Sequence, residues 1–297
     1  MELKVNEQRQ ETKLHGTYGF PVNLGRKKIS SYDTGSFPWH WHNEIELTLV
    51  LSGEMEYRVN DNSYLLKEGE GLFCNANALH TGFMHGETDC DYLSLTFHPR
   101  FLYGFDASII RTKYVESITA SSALSSLQLT GESPWQREAL ESLRKIYGLF
   151  QEKPELFELE VQRLLLGIWA GLYKNYGEEA ERAPAADPEK IERLRTLLSF
   201  LHEHYGEKIT LDQAARQVNL CKSECCRFFK RQMGMPIFEY LLEYRVAKSM
   251  DLLKQGCPVA EAAERCGFPA PAYFTKVFHA RTGRSPSEYR KETREAK

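Results

Sequence analysis

A chain of 297 residues, 42% hydrophobic and 27% charged, is long enough for two globular domains whose cores fold unaided. No apolar run nears the roughly 18 residues that a membrane span needs; the greasiest, Leu164 to Tyr173, is too short, and the charged start from Met1 to Gly16 does not read as a signal peptide. The net charge of −3 conceals an asymmetry: residues 187–297 carry 20 Lys and Arg against 15 Asp and Glu, which leaves 18 against 26 of the totals of 38 and 41 for residues 1–186. A basic final third on an acidic remainder points that third toward a polyanion. Seven cysteines, an odd number without a C-x-x-C pair, read as the reduced thiols of a cytoplasmic protein.

From residue 17 to about 110 the pattern is that of an antiparallel sandwich or barrel. Apolar runs at Ile45–Leu51, Met55–Val59 and Leu93–Phe97 alternate with turn signals at Ser52-Gly53, Asn60-Asp61-Asn62 and Glu68-Gly69-Glu70-Gly71. The stretch His40-Trp41-His42-Asn43-Glu44-Ile45-Glu46 leads into one of these strands. Strand alternation would send His40, His42 and Glu46 to one face, and His80 on a later strand could join them. Three imidazoles and a carboxylate suit a divalent metal, although such residues can also simply bond a polar effector. Trp39, Trp41 and Tyr57 offer flat faces for a sugar ring, and Arg58 a cation for an anion.

Helical periodicity begins at Pro134. Leu140, Leu143, Ile146, Tyr147 and Phe150 define one helix over 134–150; Leu156, Leu159, Leu164, Ile168 and Leu172 define another over 155–175. Their leucine content suits a dimer interface, with packing onto the barrel as the alternative. Residues 177–187, rich in Glu, Ala and Pro, read as a linker between a domain of residues 1–176 and one of residues 188–297.

The final domain reads as all-helical and repeats one layout. A short helix (Leu211, Ala214, Ala215, Val218), a turn at Asn219–Lys222 and a second helix from Ser223 to Met233 are followed by a connecting helix through Leu241 to Leu253. Then come a short helix (Val259, Ala262, Ala263), the turn Cys266-Gly267-Phe268 and a helix from Pro271 to Thr282. Two helix-turn-helix units with cations on their exposed faces suit major-groove binding of duplex DNA.

Gly267-Phe268, Tyr273 through Phe278 and Gly283 through Arg290, with Phe228-Phe229-Lys230 and Gly234 in the first unit, resemble the signature of AraC/XylS-family regulators over the last hundred residues. That resemblance implies base contacts from Ser223, Cys226 and Arg227, and places Lys222, Lys230, Thr275, Lys276 and Arg281 on the same DNA-facing surface. It also implies a homodimer, with RNA polymerase among the partners such regulators can engage. In the second unit Pro269-Ala270-Pro271-Ala272 stands where polar residues are common, so phosphate and thymine-methyl contacts are expected there. Upstream, His40 to Gly53 resembles the first cupin motif. Gly69, Asn75, Asn77 and His80 resemble the second, with Asn at two positions where Pro and Gly are usual.

The expectation is an α+β multidomain protein: a cupin-like antiparallel β-barrel, two helices, then an all-α domain with two helix-turn-helix units. Its function would be that of a cytoplasmic transcription regulator, not an enzyme. Its barrel would sense a small molecule, a sugar being one candidate, through Trp39, His40, His42, Glu46, Tyr57 and His80. No cofactor is required by this reading, and a divalent metal on His40, His42, Glu46 and His80 stays open. The rival is a metal-dependent cupin enzyme, an oxygenase or isomerase, with a DNA-binding tail.

Overall fold

The computed structural model describes all residues except 1, 2, 4, 7, 8, 33, 87, 183–186, 296 and 297. Two compact units emerge, meeting in sequence at Pro188 and Glu189.

The first unit contains nine strands: β1 Val22–Lys28, β2 Ser36–His40, β3 Ile45–Ser52, β4 Glu54–Val59, β5 Asn62–Lys67, β6 Gly71–Cys74, β7 His80–Met84, β8 Asp91–Phe97 and β9 Ser126–Leu129. They form two antiparallel sheets, ordered β1-β8-β3-β6-β9 and β2-β7-β4-β5. The predicted runs lie within β3, β4 and β8. β9 was not anticipated; it follows two short helices, α1 Arg100–Tyr103 and α2 Glu116–Thr119, and closes the larger sheet against β6.

The larger sheet is buried on both faces, and its alternation separates two environments. Ile45, Leu47 and Leu49 of β3 and Leu93, Leu95 and Phe97 of β8 join a core with α3 Pro134–Glu152 and α4 Phe157–Arg182. Phe73 meets the Trp169 ring edge-on at 6.2 Å in that layer. The alternate residues Glu46, Thr48, Ser94 and Thr96 are buried on the opposite face, an unusual concentration of polar groups for a sandwich interior. Val50 and Tyr92 share that side and pack with Phe37, Met55, Tyr57 and Val59 of the smaller sheet. The two helices therefore use one apolar face against the sheet, the alternative weighed beside dimerisation.

The expected linker is corrected at its start. α4 continues to Arg182 because the 3.6-residue rhythm persists through Leu172, Tyr176 and Ala180, and Ala180 is buried in the helix–sheet core. Glu, Ala and Arg there are good helix formers rather than linker residues. Residues 183–186 fall outside the described residues, and helix resumes at Pro188. The units divide between Pro188 and Glu189, beside the expected start of the second domain at residue 188.

The second unit is all helix: α5 Pro188–Glu203, α6 Leu211–Gln217, α7 Lys222–Met233, α8 Ile237–Lys254, α9 Val259–Arg265, α10 Pro271–Thr282 and α11 Pro286–Glu295. The repeat is close. α6 and α9 are each 7 residues long, α7 and α10 each 12, and both long helices end on a left-handed glycine, Gly234 or Gly283. Thr210 and Gln213 form a reciprocal capping box on α6. On α7 the Cys221 N–H donates to Glu224 Oε2 at 3.1 Å, which strengthens a start that cysteine alone would cap poorly. Arg9 also packs into this unit, donating to His202 Nε2 and the Tyr240 hydroxyl at 3.1 Å each.

Gly267 in the second turn is under three constraints. Its φ is +69°, and an added Cβ would meet Tyr205 O at 2.6 Å and both Gly206 C and Arg245 Nη2 at 2.9 Å. The same Arg245 holds the facing loop through Tyr205 O (2.7 Å) and Glu207 O (2.6 Å). Gly267→Ala is expected to destabilise the C-terminal unit by about 2–3 kcal/mol, read as an earlier thermal transition of that unit. An unchanged melt would show that the turn yields without cost.

Candidate metal centre and DNA interface

His40, His42 and His80 do converge, but not by alternation along one strand. β2 ends at His40, β3 begins at Ile45, and these strands belong to different sheets. The chain crosses between sheets within this segment, so His40 comes from the smaller sheet, Glu46 from the larger, and His42 from the crossing. His80 opens β7 directly opposite His40 in register. The crossing is tied down by Asn77 N–H donating to His42 O at 2.8 Å. Asn77 there takes a φ of 63°, as expected for an Asn replacing glycine. Asn75 serves otherwise: its amide donates to Ile118 O and Leu124 O, 2.9 Å each, holding the segment that leads to β9.

The three rings are oriented alike. Nδ1 of His40 bonds Pro38 O at 2.9 Å, that of His42 bonds Glu44 O at 3.0 Å, and that of His80 bonds Ala78 O at 2.9 Å. A carbonyl only accepts, so each Nδ1 carries the proton and each Nε2 is a lone pair. These donor atoms all lie within 4.8 Å of one another, and the His40 and His80 ring centres are 4.1 Å apart. Nε2 of His42 and of His80 is buried without a hydrogen-bond partner among the described residues. Burial holds the His80 pKa down to about 4, and burial with the neighbouring His80 and His42 holds that of His40 well below its usual value. Burial also opposes charge on His42, but the Glu46 carboxylate and the charges of Glu11 and Glu44 outweigh it and raise its pKa.

Glu46 stands one step behind this triad. Its Oε1 accepts from the Tyr57 hydroxyl at 2.9 Å and Thr48 Oγ1 at 3.2 Å, while Oε2 lies 3.5 Å from His42 Nε2. Burial would favour its neutral form; the neighbouring His42 and His80 imidazoles hold its pKa well below the usual carboxylate value instead. Tyr57 is wholly buried, and its ring stacks over His80 at 6.1 Å. Glu11 and His15, absent from the sequence-derived site, also reach this centre; Glu11 Oε2 is 3.0 Å from His15 Nε2 and 3.9 Å from His40 Nε2. Nothing in the spacing of a charged N-terminal segment signalled that.

The associated cavity measures about 10 Å³ and is lined by Glu11, Lys13, His15, His40, Glu46 and Tyr92 among others. Organic-ligand pockets usually measure about 300–1,000 Å³, whereas this one has room for an ion or a water. Trp39 and Trp41 are buried and do not line it, so neither presents a stacking face in this conformation. Arg58 points to the opposite side of β4, paired with Glu56 at 2.6 Å and lying over the Phe83 ring, so it serves no ligand in the barrel.

In the second unit the basic faces form as expected. Cys225, Phe229 and Met233 bury one side of α7, and Phe274 and Phe278 one side of α10; Phe228 and Val277 are only half-buried. The other side of α7 exposes Lys222, Ser223, Arg227 and Lys230, with Cys226 half-exposed. Among the described residues Arg227, Lys230 and Lys276 make no ion pair, leaving their charge available to phosphate or base edges. Lys222 pairs with Asp212 at 3.3 Å, and Arg281 is held by Glu239 and Glu243 of α8. Arg281 is therefore a bridge between helices first. α10 exposes Thr275 and Lys276 as expected, and also Tyr273 and His279, which polarity counting had passed over.

A polar-lined sandwich joined in sequence to two helix-turn-helix units defines a class, a transcription regulator with a ligand-binding domain. Residues 28–198 match the AraC-like ligand-binding domain, and residues 214–292 match a helix-turn-helix domain. The chain belongs to the AraC family of transcriptional regulators. It is 32% identical over 288 residues, 97% of both chains, to the uncharacterized HTH-type transcriptional regulator YdeC of Bacillus subtilis (strain 168). It is 27% identical over 265 residues, 86% of both chains, to the HTH-type transcriptional activator RhaR of Pectobacterium atrosepticum. ToxT from Vibrio cholerae, a solved structure, aligns with 91% of this chain and 97% of its own at 15% identity and a TM-score of 0.45.

Binding to sites selected in vitro should separate the two recognition helices. Arg227→Ala should cost about 1–3 kcal/mol and relax preference at one base position, because a guanidinium can bond guanine O6 and N7 together. Lys276→Ala should weaken all sequences alike and lower the salt slope by about one. Unaltered base preference in the Arg227 variant would remove it from base reading.

Proposed function

We propose that the N-terminal unit senses a divalent metal ion, or a small chelating molecule that arrives on one, and that its occupancy sets how a cytoplasmic dimer holds its operator. The observation that carries this reading is the convergence of three buried imidazole Nε2 lone pairs, each ring locked by its own Nδ1 bond to a backbone carbonyl. Locking of that kind fixes the tautomer a metal ligand needs. His40, His42 and His80 would hold the ion, and Glu46, steered by Tyr57 and Thr48, would orient and polarise His42. A bound divalent ion would supply concentrated positive charge and open positions for an anionic or chelating molecule. The cavity volume favours an effector of that size over a sugar. Turnover by an isomerase would need a free acid–base group beside the ion. The two carboxylates nearest are already engaged, Glu11 by His15 and Glu46 by Tyr57 and Thr48.

The dimer has support on α4. With one face of that helix against the sheet, Leu159 and Leu166 remain exposed at 59% and 37%. They lie two helical turns apart on one side, beside exposed Gly167 and Ala170. Two copies joined there could address half-sites about 34 Å, or a multiple, apart, with RNA polymerase as a further partner on the promoter.

Two measurements bear on this reading. Untagged protein offered Zn²⁺ or Mn²⁺ and then dialysed should retain close to one equivalent by elemental analysis. The His40→Ala/His42→Ala/His80→Ala variant should retain almost none, and metal-free wild type after reconstitution would overturn the proposal. Leu166→Glu should convert a sedimenting dimer to monomer, with operator affinity at least tenfold weaker; an unchanged sedimentation coefficient would move the interface elsewhere.

A further inference from the structure

The N-terminal segment carries a ligand set of its own. Gln10 pairs with Trp41 in parallel, and the Glu11 N–H donates to Trp41 O at 2.9 Å, which lays the segment along the crossing between sheets. His15 Nδ1 bonds Thr96 Oγ1 of β8 at 2.8 Å. Immediately after it the chain turns away at Gly16, with φ +83°, where an added Cβ would lie 2.4 Å from Phe20 O. Only glycine permits that turn, so His15 is delivered to the interior by backbone geometry. Both side chains are almost wholly buried.

An ordinary ion pair accounts for Glu11 and His15 as far as their 3.0 Å contact goes. It does not account for His42. The His15 and His42 rings lie 5.0 Å apart, and Glu11, His15 and His42 present donor atoms all within 4.8 Å of one another. The Nε2 atoms of both histidines are buried, that of His15 facing Glu11 Oε2 at 3.0 Å and that of His42 lying 3.5 Å from Glu46 Oε2. Two buried imidazole nitrogens flanking a carboxylate are a two-nitrogen, one-oxygen donor set, suited to a first-row divalent ion. Donor atoms around a tetrahedral ion with bonds of about 2.0–2.1 Å lie closer together than this, so the set must tighten as the ion enters. The competing cations on the spot are Lys13 and Lys27, which line the same cavity.

We infer that Glu11, His15 and His42 form a second divalent-cation position, through which a metal ion fastens the N-terminal segment onto the barrel. His42 has a single free nitrogen, because Nδ1 is bound to Glu44 O, and Nε2 cannot serve two ions. The two positions therefore exclude each other. An ion on His40, His42 and His80 leaves the segment to its own hydrogen bonds; an ion on Glu11, His15 and His42 clamps it. Metal supply would then set how firmly residues 10–15 are held. This inference shares its metal chemistry with the function proposed above, but draws on different residues.

The full-length, untagged chain with Zn²⁺ as probe provides the test, in wild type, His80→Ala, and His80→Ala combined with Glu11→Gln and His15→Ala. Two readouts are taken: affinity by competition with a chromophoric chelator, and the rate of tryptic cleavage after Lys13 followed by mass spectrometry. The inference expects His80→Ala to keep binding zinc and the triple variant to bind at least tenfold more weakly. Zinc should slow cleavage after Lys13 several-fold in His80→Ala, where the barrel triad no longer competes for His42. Zinc binding abolished by His80→Ala alone overturns the second position and leaves the barrel triad standing. Equal affinity in His80→Ala and the triple variant overturns it as well, as does cleavage of His80→Ala indifferent to zinc. No zinc uptake by wild type overturns both proposals. Should the triple variant fail to fold, the cleavage comparison in His80→Ala decides by itself.

Discussion

Everything at the centre of the first unit depends on one crossing, from the last residue of β2 to the first of β3. In passing from the smaller sheet to the larger, the chain turns His40, His42 and Glu46 inward from three different supports. Because these groups are polar and enclosed, each must find a partner or carry a large desolvation penalty. The backbone meets half of that demand, with the carbonyls of Pro38, Glu44 and Ala78 taking the three Nδ1 protons. The other half, the Nε2 lone pairs, is left facing inward.

The larger sheet shows how such an interior is tolerated. Its outer face joins α3 and α4 in an apolar layer, so the unit gains its hydrophobic stabilisation outside the sandwich. The inner face is thereby released to carry Glu46, Thr48, Ser94 and Thr96. A sandwich that relied on its interior alone could not hold so many polar groups. Structure and sensing are divided between the two faces of one sheet, and strand alternation is the divider.

In the second unit the division is between helices. α8 connects the two helix-turn-helix units and also restrains them, through Arg245 on the turn before α6 and through Glu239 and Glu243 on Arg281 of α10. Cations tied up in that way act on architecture, whereas Arg227, Lys230 and Lys276 make no ion pair among the described residues. A tally of basic residues cannot tell one kind from the other.

What was legible in the sequence was whatever local chemistry repeats. Alternation located β3, β4 and β8, the 3.6-residue rhythm located α3 and α4, and glycines, prolines and apolar spacing marked both helix-turn-helix units nearly to the residue. His40, His42 and His80 were legible as a set because imidazoles are rare and chemically distinctive. Tertiary structure decided the rest. It showed that the three meet across two sheets rather than along one strand, because a strand's period says nothing about where the chain changes sheet. It set Glu46 behind His42, turned Arg58 outward, and extended α4 through a stretch that looked like linker. Above all it brought Glu11 and His15 to the centre. That approach depends on a parallel pairing with Trp41 and a turn only Gly16 allows, contacts between segments far apart in the chain, and periodicity in a single sequence carries no trace of such contacts.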